Sequence, residues 1–408
     1  MQHRLTRRGF LTSALASSIP VPTALASPAT ISRLPDPTGH LITRWAQDPF
    51  ARGSYSFLAK GARPEDRDAL ATPIDDTLFF AGEACSRDHP STVHGAMMSG
   101  QNAARAILAS GAQQIAIIGA GIAGLAAAKR LADAGRSVTV TEARARIGGR
   151  LFSDQSHDVP LDLGASWIHG VRGNPLTRIA DRLGLSRRIT DWESFEVFDL
   201  QGQDLDKDQI PDWFETRWDY DLEYGASPAE LDRRAQDEGE EYSGPHVIFP
   251  SGYDQILPAF AGAYDLLLSN PVTEVSHRPG AVRITAPTPI TAEACLITLP
   301  LGVLKQATPA FDPPLPKAKR AAITTLGMGL LDKTYLIFPK TFWPAQTHFL
   351  GVAGPRPSPF AHWVNFAPHI GAPVLCAFNG AEAARQLDDL PDAQLVDMAL
   401  RKLAEMTR

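Results

Sequence analysis

The sequence predicts an α/β fold: a doubly wound dinucleotide-binding domain joined to a second, mixed α+β domain. Three observations carry this. The apolar strand IAII, Ile115–Ile118, runs into the glycine turn GAGIAG and then an Ala-rich helix over 122–134. A second strand pattern, SVTVTE, ends on an acid, Glu142, at the roughly twenty-residue distance that such a unit needs. Far downstream, the stretch Asp191 to Tyr242 changes character, with 18 Asp and Glu against 4 Lys and Arg, and with Trp192, Trp213, Trp218, Tyr220 and Tyr224 interleaved. A charge run is usually a solvated face, but this one is too aromatic for simple disorder and reads as ordered, largely helical and part of the second domain.

Taken in order, the chain opens on TRRGFLTSALASSIPVPTALA. Paired Arg7 and Arg8, then Phe10 and Leu11, a mildly apolar run and the small-x-small site at Ala24 and Ala26 read as a twin-arginine signal over 1–26, cleaved after Ala26. The run is too short and too rich in Pro and Ser to span a bilayer, so no stable membrane anchor is expected. The expected location is exported, periplasmic or secreted. Residues 27–39 have linker composition. HLITRWAQDPFARGSYS, 40–56, reads as a short strand and a turn, and ARPEDRDALATPIDD, 62–76, as a polar loop. Leu78–Ala81 is a strand. Thr92–Leu108 is a helix, with Val93, Ala96, Met97, Ala104 and Ile107 at helical spacing. SGAQQ, 110–114, is a short joint into the glycine-turn unit. The dinucleotide-binding domain is expected over 40–175 and 246–305, and the substrate domain over 176–245 and 306–408.

Bulk properties bound the function. The chain has 408 residues, 44% hydrophobic and 21% charged, with net charge −6, enough for two sizeable cores. No basic stripe suits nucleic acid, no His, Cys or carboxylate spacing suits a metal, and no G-x-S-x-G elbow is present. Cys85, Cys295 and Cys376 make no disulfide framework. Cys295 and Cys376 lie in apolar runs and read as buried free thiols.

Gly119, Gly121 and Gly124 alone would be a weak signal, but their context has a mechanism. Small residues let the backbone approach a pyrophosphate, the helix N-terminus at Ile122 and Ala123 offers free N–H groups, and Glu142 takes a ribose hydroxyl pair. Several further segments, EARARIGGRLFS, LDLGASWIHG, SNPVTEV, ITLPLGVLK, LGMGLLDKTYLIFP, LFFAGEA and STVHGA, together resemble the flavin amine oxidases, the family of polyamine oxidases and lysine-specific histone demethylases. The matches span about 40 to 380. The resemblance implies noncovalent FAD, since Ser54 stands where members with covalent flavin carry Cys. It assigns Glu142 to the adenosine ribose and sets Arg144, Gly149 and Arg150 along the diphosphate and flavin. Gly164, Ala165, Ser166 and Trp167 fall at the flavin ring, Val272 at the adenine, Pro300 in a family hallmark and Glu83 near the diphosphate. Thr92 and Val93 fall at a helix N-terminus facing the flavin pyrimidine, where the helix dipole favours negative charge.

The implied reaction is C–N bond oxidation. Hydride passes to flavin N5, the imine hydrolyses, and oxygen reoxidises the flavin to give hydrogen peroxide. Lys333 would hold a water near N5, His169 would lie near the substrate, and Trp45 would flank the amine. A second aromatic that some members place at Thr92 is missing, and Tyr55 or Trp167 could replace it. An acidic entrance from 191–242 favours a cationic amine, with a polyamine as the expected substrate. Two other readings stay open here. One is an L-amino-acid or other amine-metabolite oxidase, with Arg217 or Arg172 clamping a carboxylate. The other is a non-catalytic interaction protein on the same fold. Histone demethylation is disfavoured by the export signal.

The order of the segments is unusual. In the family the TRW, GSYS, FFAGEA and TVHGA segments close the chain, whereas here they precede the fingerprint. The expectation is a circularly permuted order, with SGAQQ joining the old termini and the new ends in an exposed loop.

Overall fold

The computed structural model describes residues 34–408; the proposed signal and most of the linker lie outside the described residues. Five parallel strands form the dinucleotide sheet, in the order Asp265–Leu267, Ser137–Thr141, Gln114–Ile118, Ala294–Ile297, Leu78–Phe80. The strands Gln114–Ile118 and Ala294–Ile297 are buried almost throughout, as expected of a parallel sheet covered on both faces. Two helices, Val93–Ser110 and Ile122–Asp133, pack on each other and on the sheet. They approach closely because Gly100 lies against the Ala123 backbone, where any Cβ would collide with the Ala123 carbonyl oxygen. The edge strand Leu78–Phe80 comes from ahead of the fingerprint. Its chain continues through the helix Val93–Ser110 and residues 111–113 into the central strand Gln114–Ile118.

A second sheet has six strands, in the order Gly39–Ile42, Leu331–Ile337, Val374–Gly380, His362–Asn365, Phe349–Val352, Phe195–Phe198. The strand Gly39–Ile42 therefore belongs to this sheet, antiparallel to Leu331–Ile337. The helix Asp392–Met406 covers one face, and Leu34 packs into the same apolar cluster as Leu395, Leu403 and Met406. The first and last described segments thus meet in one core, and Arg44 reaches the Leu390 carbonyl and Asp392.

Two local expectations are corrected. Residues 62–76 are not all loop: Pro64–Ala71 is a helix. Pro64 starts it, the Asp66 carboxylate accepts the Arg63 backbone N–H at 2.8 Å, and Lys319, some 250 residues away in sequence, donates to the carbonyls of Ala69, Leu70 and Thr72 at its end. The segment 191–242 is ordered but not largely helical. It combines the strand Phe195–Phe198 with short helical turns at 207–209, 212–224 and 235–237. Trp192, Phe195, Trp213, Phe214 and Trp218 pack with residues of the six-stranded sheet and its loops, so tertiary packing rather than helix propensity sets its shape. Cys295 and Cys376 are buried free thiols, as their apolar runs predict.

Candidate functional site

The carboxyl ends of Gln114–Ile118, Ser137–Thr141, Ala294–Ile297 and Leu78–Phe80 all meet at one edge, where open parallel sheets bind ligands. Gly119 takes a positive φ of 106° to make the turn, and Thr298 Oγ1 donates to the Ile118 and Gly119 carbonyls beneath it. Gly121 caps the helix Ile122–Asp133, and a Cβ placed on it would meet no atom within 4 Å. The cradle over that helix N-terminus is open, which suits a diphosphate lying against the backbone. Gly124 differs: its Cβ would collide with the Gly119 carbonyl oxygen, so it is there for packing.

Glu142 is buried. One carboxylate oxygen accepts the Ala120 N–H at 2.8 Å and the other the Arg144 N–H at 2.9 Å. Each oxygen keeps a lone pair for a hydroxyl, so the fit to a ribose is chemically sound. Ser269 and Asn270 donate to the carbonyls of Arg144 and Glu142, which brings Val272 to this end of the site. Pro300 opens the turn Leu301–Lys305 just past the strand end. Arg144 pairs with Asp48 at 2.6 Å. Gly149, at φ 60°, lies against Gly121.

Further along, Arg150 donates to Glu83 and to the Ser54 carbonyl, each at 2.9 Å. Glu83 also accepts from the Ser56 hydroxyl at 2.5 Å and the Ser91 N–H at 3.2 Å. Burial alone would raise the Glu83 pKa, but the Arg150 charge, the Ser56 hydroxyl and the Arg67 charge outweigh it and hold it below the ordinary carboxyl value. Beside this cluster Thr92 caps the helix Val93–Ser110, accepting the Gly95 N–H at 2.9 Å. The Arg150 carbonyl accepts the Ala165 N–H at 3.1 Å, which links the diphosphate end to the 164–167 segment.

There Lys333 is buried and donates to the Asp162 carbonyl at 2.7 Å, the Gly164 carbonyl at 2.6 Å and the Ser166 hydroxyl at 2.7 Å. Burial pushes its pKa down from lysine's ordinary value. Trp45 Nε1 donates to the Leu163 carbonyl at 3.3 Å, and its backbone N–H to Asp332. Lys333 and Trp45 thus grip the same segment. Phe378, opposite Lys333 in the strand register, meets Trp167 edge-on at 6.0 Å. Trp167 leads to an aromatic wall of His169, Trp192, His246, Trp218 and Phe349, with Trp192 and Phe349 stacked at 4.8 Å. Tyr55 instead donates its hydroxyl to the Leu222 carbonyl.

Hydrogen bonds, an ion pair and ring contacts link many of the predicted residues, from Glu142 and the glycine turn through Arg150, Glu83 and Ala165 to Lys333, Trp45, Trp167 and His169. Sequence reading missed Asp48, Ser56, Ser91, Asp162, Trp192, Trp218 and His246. Trp192 and Trp218 carried the signal of the acidic stretch, and Asp162 and Ser91 lie inside the quoted segments LDLGASWIHG and STVHGA without being singled out. Among the described residues, no group of three or more His, Cys, Asp or Glu is placed to hold a metal, and no helix is long and apolar enough to cross a membrane.

A glycine cradle on a helix N-terminus and a buried acid at the end of the second strand fit a dinucleotide, with a buried lysine at the far end. The description "Flavin containing amine oxidoreductase" matches residues 17–108, 122–238 and 224–408, and the chain belongs to that family. It is an FAD-dependent amine oxidoreductase. It is 32% identical over 355 residues to a probable polyamine oxidase 4 of Arabidopsis thaliana, covering 72% of this chain and 71% of that protein. Polyamine oxidase 4 of Oryza sativa subsp. japonica is 30% identical over 355 residues, covering 72% of each. Human lysine-specific histone demethylase 2 is 29% identical over 359 residues, covering 72% of this chain and 44% of that protein. A solved putrescine oxidase variant, made to redesign cofactor binding, superposes with a TM-score of 0.53 at 20% identity, over 72% of this chain and 82% of the other.

Proposed function

We propose that the protein oxidises the C–N bond of a cationic amine, with a polyamine as substrate. The observation that carries this is the makeup of the aromatic wall. Trp192 and Trp218 come from the stretch 191–242, so the most acidic part of the chain also lines the site, beside Trp167 and His169. Aromatic faces and nearby carboxylates recognise a flexible polycation through cation–π contact and long-range attraction. When bound, FAD would supply the acceptor for the hydride lost from the carbon next to nitrogen, leaving the imine, and oxygen would take those two electrons to give hydrogen peroxide. The protein's own tasks are to orient the amine, exclude water and take a proton from it, because an alkylammonium with a pKa of about 10 has no lone pair to assist the reaction. Burial among aromatic rings lowers that pKa. Lys333 places a cation at the 162–166 backbone, where its charge favours the passage of electrons to oxygen.

The amino-acid reading finds little support. Arg217 already donates to the Ser358 carbonyl at 2.7 Å and lies 3.7 Å from Asp221, and Arg172 is exposed. The test is oxygen consumption with spermidine, putrescine, benzylamine and an L-amino-acid mixture, at low and high salt. The proposal expects turnover with a polyamine and a KM that rises with salt. Turnover only with amino acids would overturn it.

Noncovalent FAD, export and a rotated segment order belong to the same reading. Three separate matches to one family, the first ending ahead of the fingerprint, support a circular permutation, as does the shared core of Leu34 and the helix Asp392–Met406. A re-ordered chain, 115–408 followed by 34–114, should then fold and bind FAD; failure to bind would count against it. Export predicts periplasmic or secreted activity that is lost in an Arg7→Lys, Arg8→Lys variant.

A further inference from the structure

A second groove opens on the outer face of the dinucleotide domain. It encloses about 430 Å³, and its floor includes Leu108, Ile179 and Phe260. Arg130 and Arg182 line it, with Lys129 beside them. Leu108 and Arg130 lie in the last turns of the helices Val93–Ser110 and Ile122–Asp133, at the opposite end from Thr92 and the cradle at Gly121. The groove is therefore separate from the cofactor site. Lys129 pairs with Asp133 at 2.9 Å. Arg130 and Arg182 are exposed and make no ion pair or hydrogen bond among the described residues. Each stands in the last turn of its helix, where a cation complements the helix dipole. The dipole accounts for each arginine singly, whereas their convergence on one apolar floor is a separate feature.

The chain after Arg182 continues the pattern. Leu183 is 39% exposed, and Ile189, at 60%, is the most exposed large hydrophobic side chain among the described residues. Arg187 pairs with Asp181 and donates to the Thr177 carbonyl at 3.4 Å, so 183–189 folds back beside the helix Pro175–Arg182. Arg188 is exposed next to Ile189. A protein partner would call for a contiguous apolar core, but here the exposed apolar side chains are interspersed with arginines. That mixture suits a layer with phosphates outside and hydrocarbon beneath, and a guanidinium matches phosphate geometry. We infer that this face docks reversibly on an anionic lipid surface. Arg130 and Arg182 take phosphate headgroups, and Leu183 and Ile189 meet the acyl boundary. Charge complementarity carries the inference. The net charge is −6, yet outside 191–242 the basic residues outnumber the acidic ones, so the excess acid is kept on another segment. No helix among the described residues is long and apolar enough to cross a membrane, so the association is with the surface. It does not depend on which amine is oxidised.

The test sediments FAD-loaded protein with phosphatidylcholine vesicles, with and without phosphatidylglycerol, at low and high salt. Binding is expected only to the anionic vesicles and should fall as salt rises. The paired variant Arg130→Gln, Arg182→Gln should weaken it about 10- to 30-fold at low salt. Gln is chosen because a carboxylate there would oppose the helix dipoles. Leu183→Ser with Ile189→Ser should weaken binding at both salt concentrations. Arg278→Gln with Arg283→Gln makes the same change in net charge on the exposed hairpin of Glu274–Arg278 and Ala281–Thr285, and should bind as the parent does. A readout free of variants is trypsin cleavage after Arg182 and Arg188, which anionic vesicles should slow. Absence of binding to anionic vesicles would overturn the inference, as would unslowed cleavage at those two sites. Equal weakening in the Arg278 and Arg283 pair would also overturn it, because bulk charge would then suffice. Self-association in sedimentation velocity that is lost in the Arg130 and Arg182 pair, without vesicle binding, would assign the face to a second copy of the chain instead.

Discussion

Replacing Gly121 with Ala separates cofactor binding from folding. At Gly121 φ is −73°, an ordinary value, and the new methyl would meet no protein atom within 4 Å. The cost to the apoprotein is the exchange of Gly for Ala at a helix N-cap, about 1 kcal/mol. The methyl would project into the cradle where the diphosphate meets the helix N-terminus. Losing one charge-assisted hydrogen bond there costs about 1.5–3 kcal/mol, a weakening of FAD binding of about 10- to 150-fold. Gly124→Ala should behave in the opposite sense. Helix propensity alone would favour it by about 1 kcal/mol, but its methyl collides with the Gly119 carbonyl oxygen, and overpacking of that kind costs about 1–3 kcal/mol. Titrating apoprotein with FAD by fluorescence, alongside melting of the apoprotein, reads both effects. Gly121→Ala should melt close to the parent and bind FAD poorly, while Gly124→Ala should melt early. Tight FAD binding by Gly121→Ala would refute the placement of the diphosphate.

Lys333→Met leaves the Asp162 and Gly164 carbonyls and the Ser166 hydroxyl without their donor, at about 1–3 kcal/mol for each group left unsatisfied, offset by removing a buried amine. Melting should fall by several degrees, and return of the yellow colour in air should slow more than its loss to substrate; equal slowing of both would contradict the role given to Lys333. Burial raises Asp162 to about 6, although its carboxylate accepts from the Ser153 hydroxyl and the Tyr253 N–H. A carboxyl that is more basic folded than unfolded stabilises below the unfolded pKa, near 3.8, and that contribution is lost as pH rises through 6. Asp162→Asn should therefore flatten the pH dependence of unfolding between 4 and 6 and raise stability at pH 8 by an amount on the order of 2 kcal/mol; urea titrations showing an unchanged slope would contradict this. Arg67 is fully buried and pairs with Glu238 at 2.7 Å, joining the helix Pro64–Ala71 to the acidic segment. Arg67→Met strands a buried carboxylate and should cost about 3–5 kcal/mol in the same assay, most of it restored by adding Glu238→Gln.

The glycine turn, Glu142, Lys333 and the strands around them were legible because each depends on local pattern or on a motif of several residues. The helix Pro64–Ala71 was not, because its C-terminal carbonyls are satisfied by Lys319, whose place no local pattern reveals. The acidic segment misled in secondary structure for a related reason. Trp192 and Trp218 pack on Trp167 and Phe349, and that packing overrides the polar, helix-like composition. His246 lies outside every quoted motif, and Asp162 lies inside LDLGASWIHG without being singled out; their places come from strand register and from hydrogen bonds spanning 77 and 91 residues. The grip of Lys333 on three acceptors was likewise invisible, since the resemblance supplied the lysine but not its partners.

The most direct test of the central claim is the visible spectrum of the purified chain, recorded without oxygen before and after adding spermidine. A yellow protein that bleaches with the polyamine, and whose colour returns in air with hydrogen peroxide formed, is the predicted result. A yellow protein that stays yellow with polyamines and bleaches with L-amino acids would contradict the substrate class. A colourless protein that takes up no added FAD would contradict the site itself.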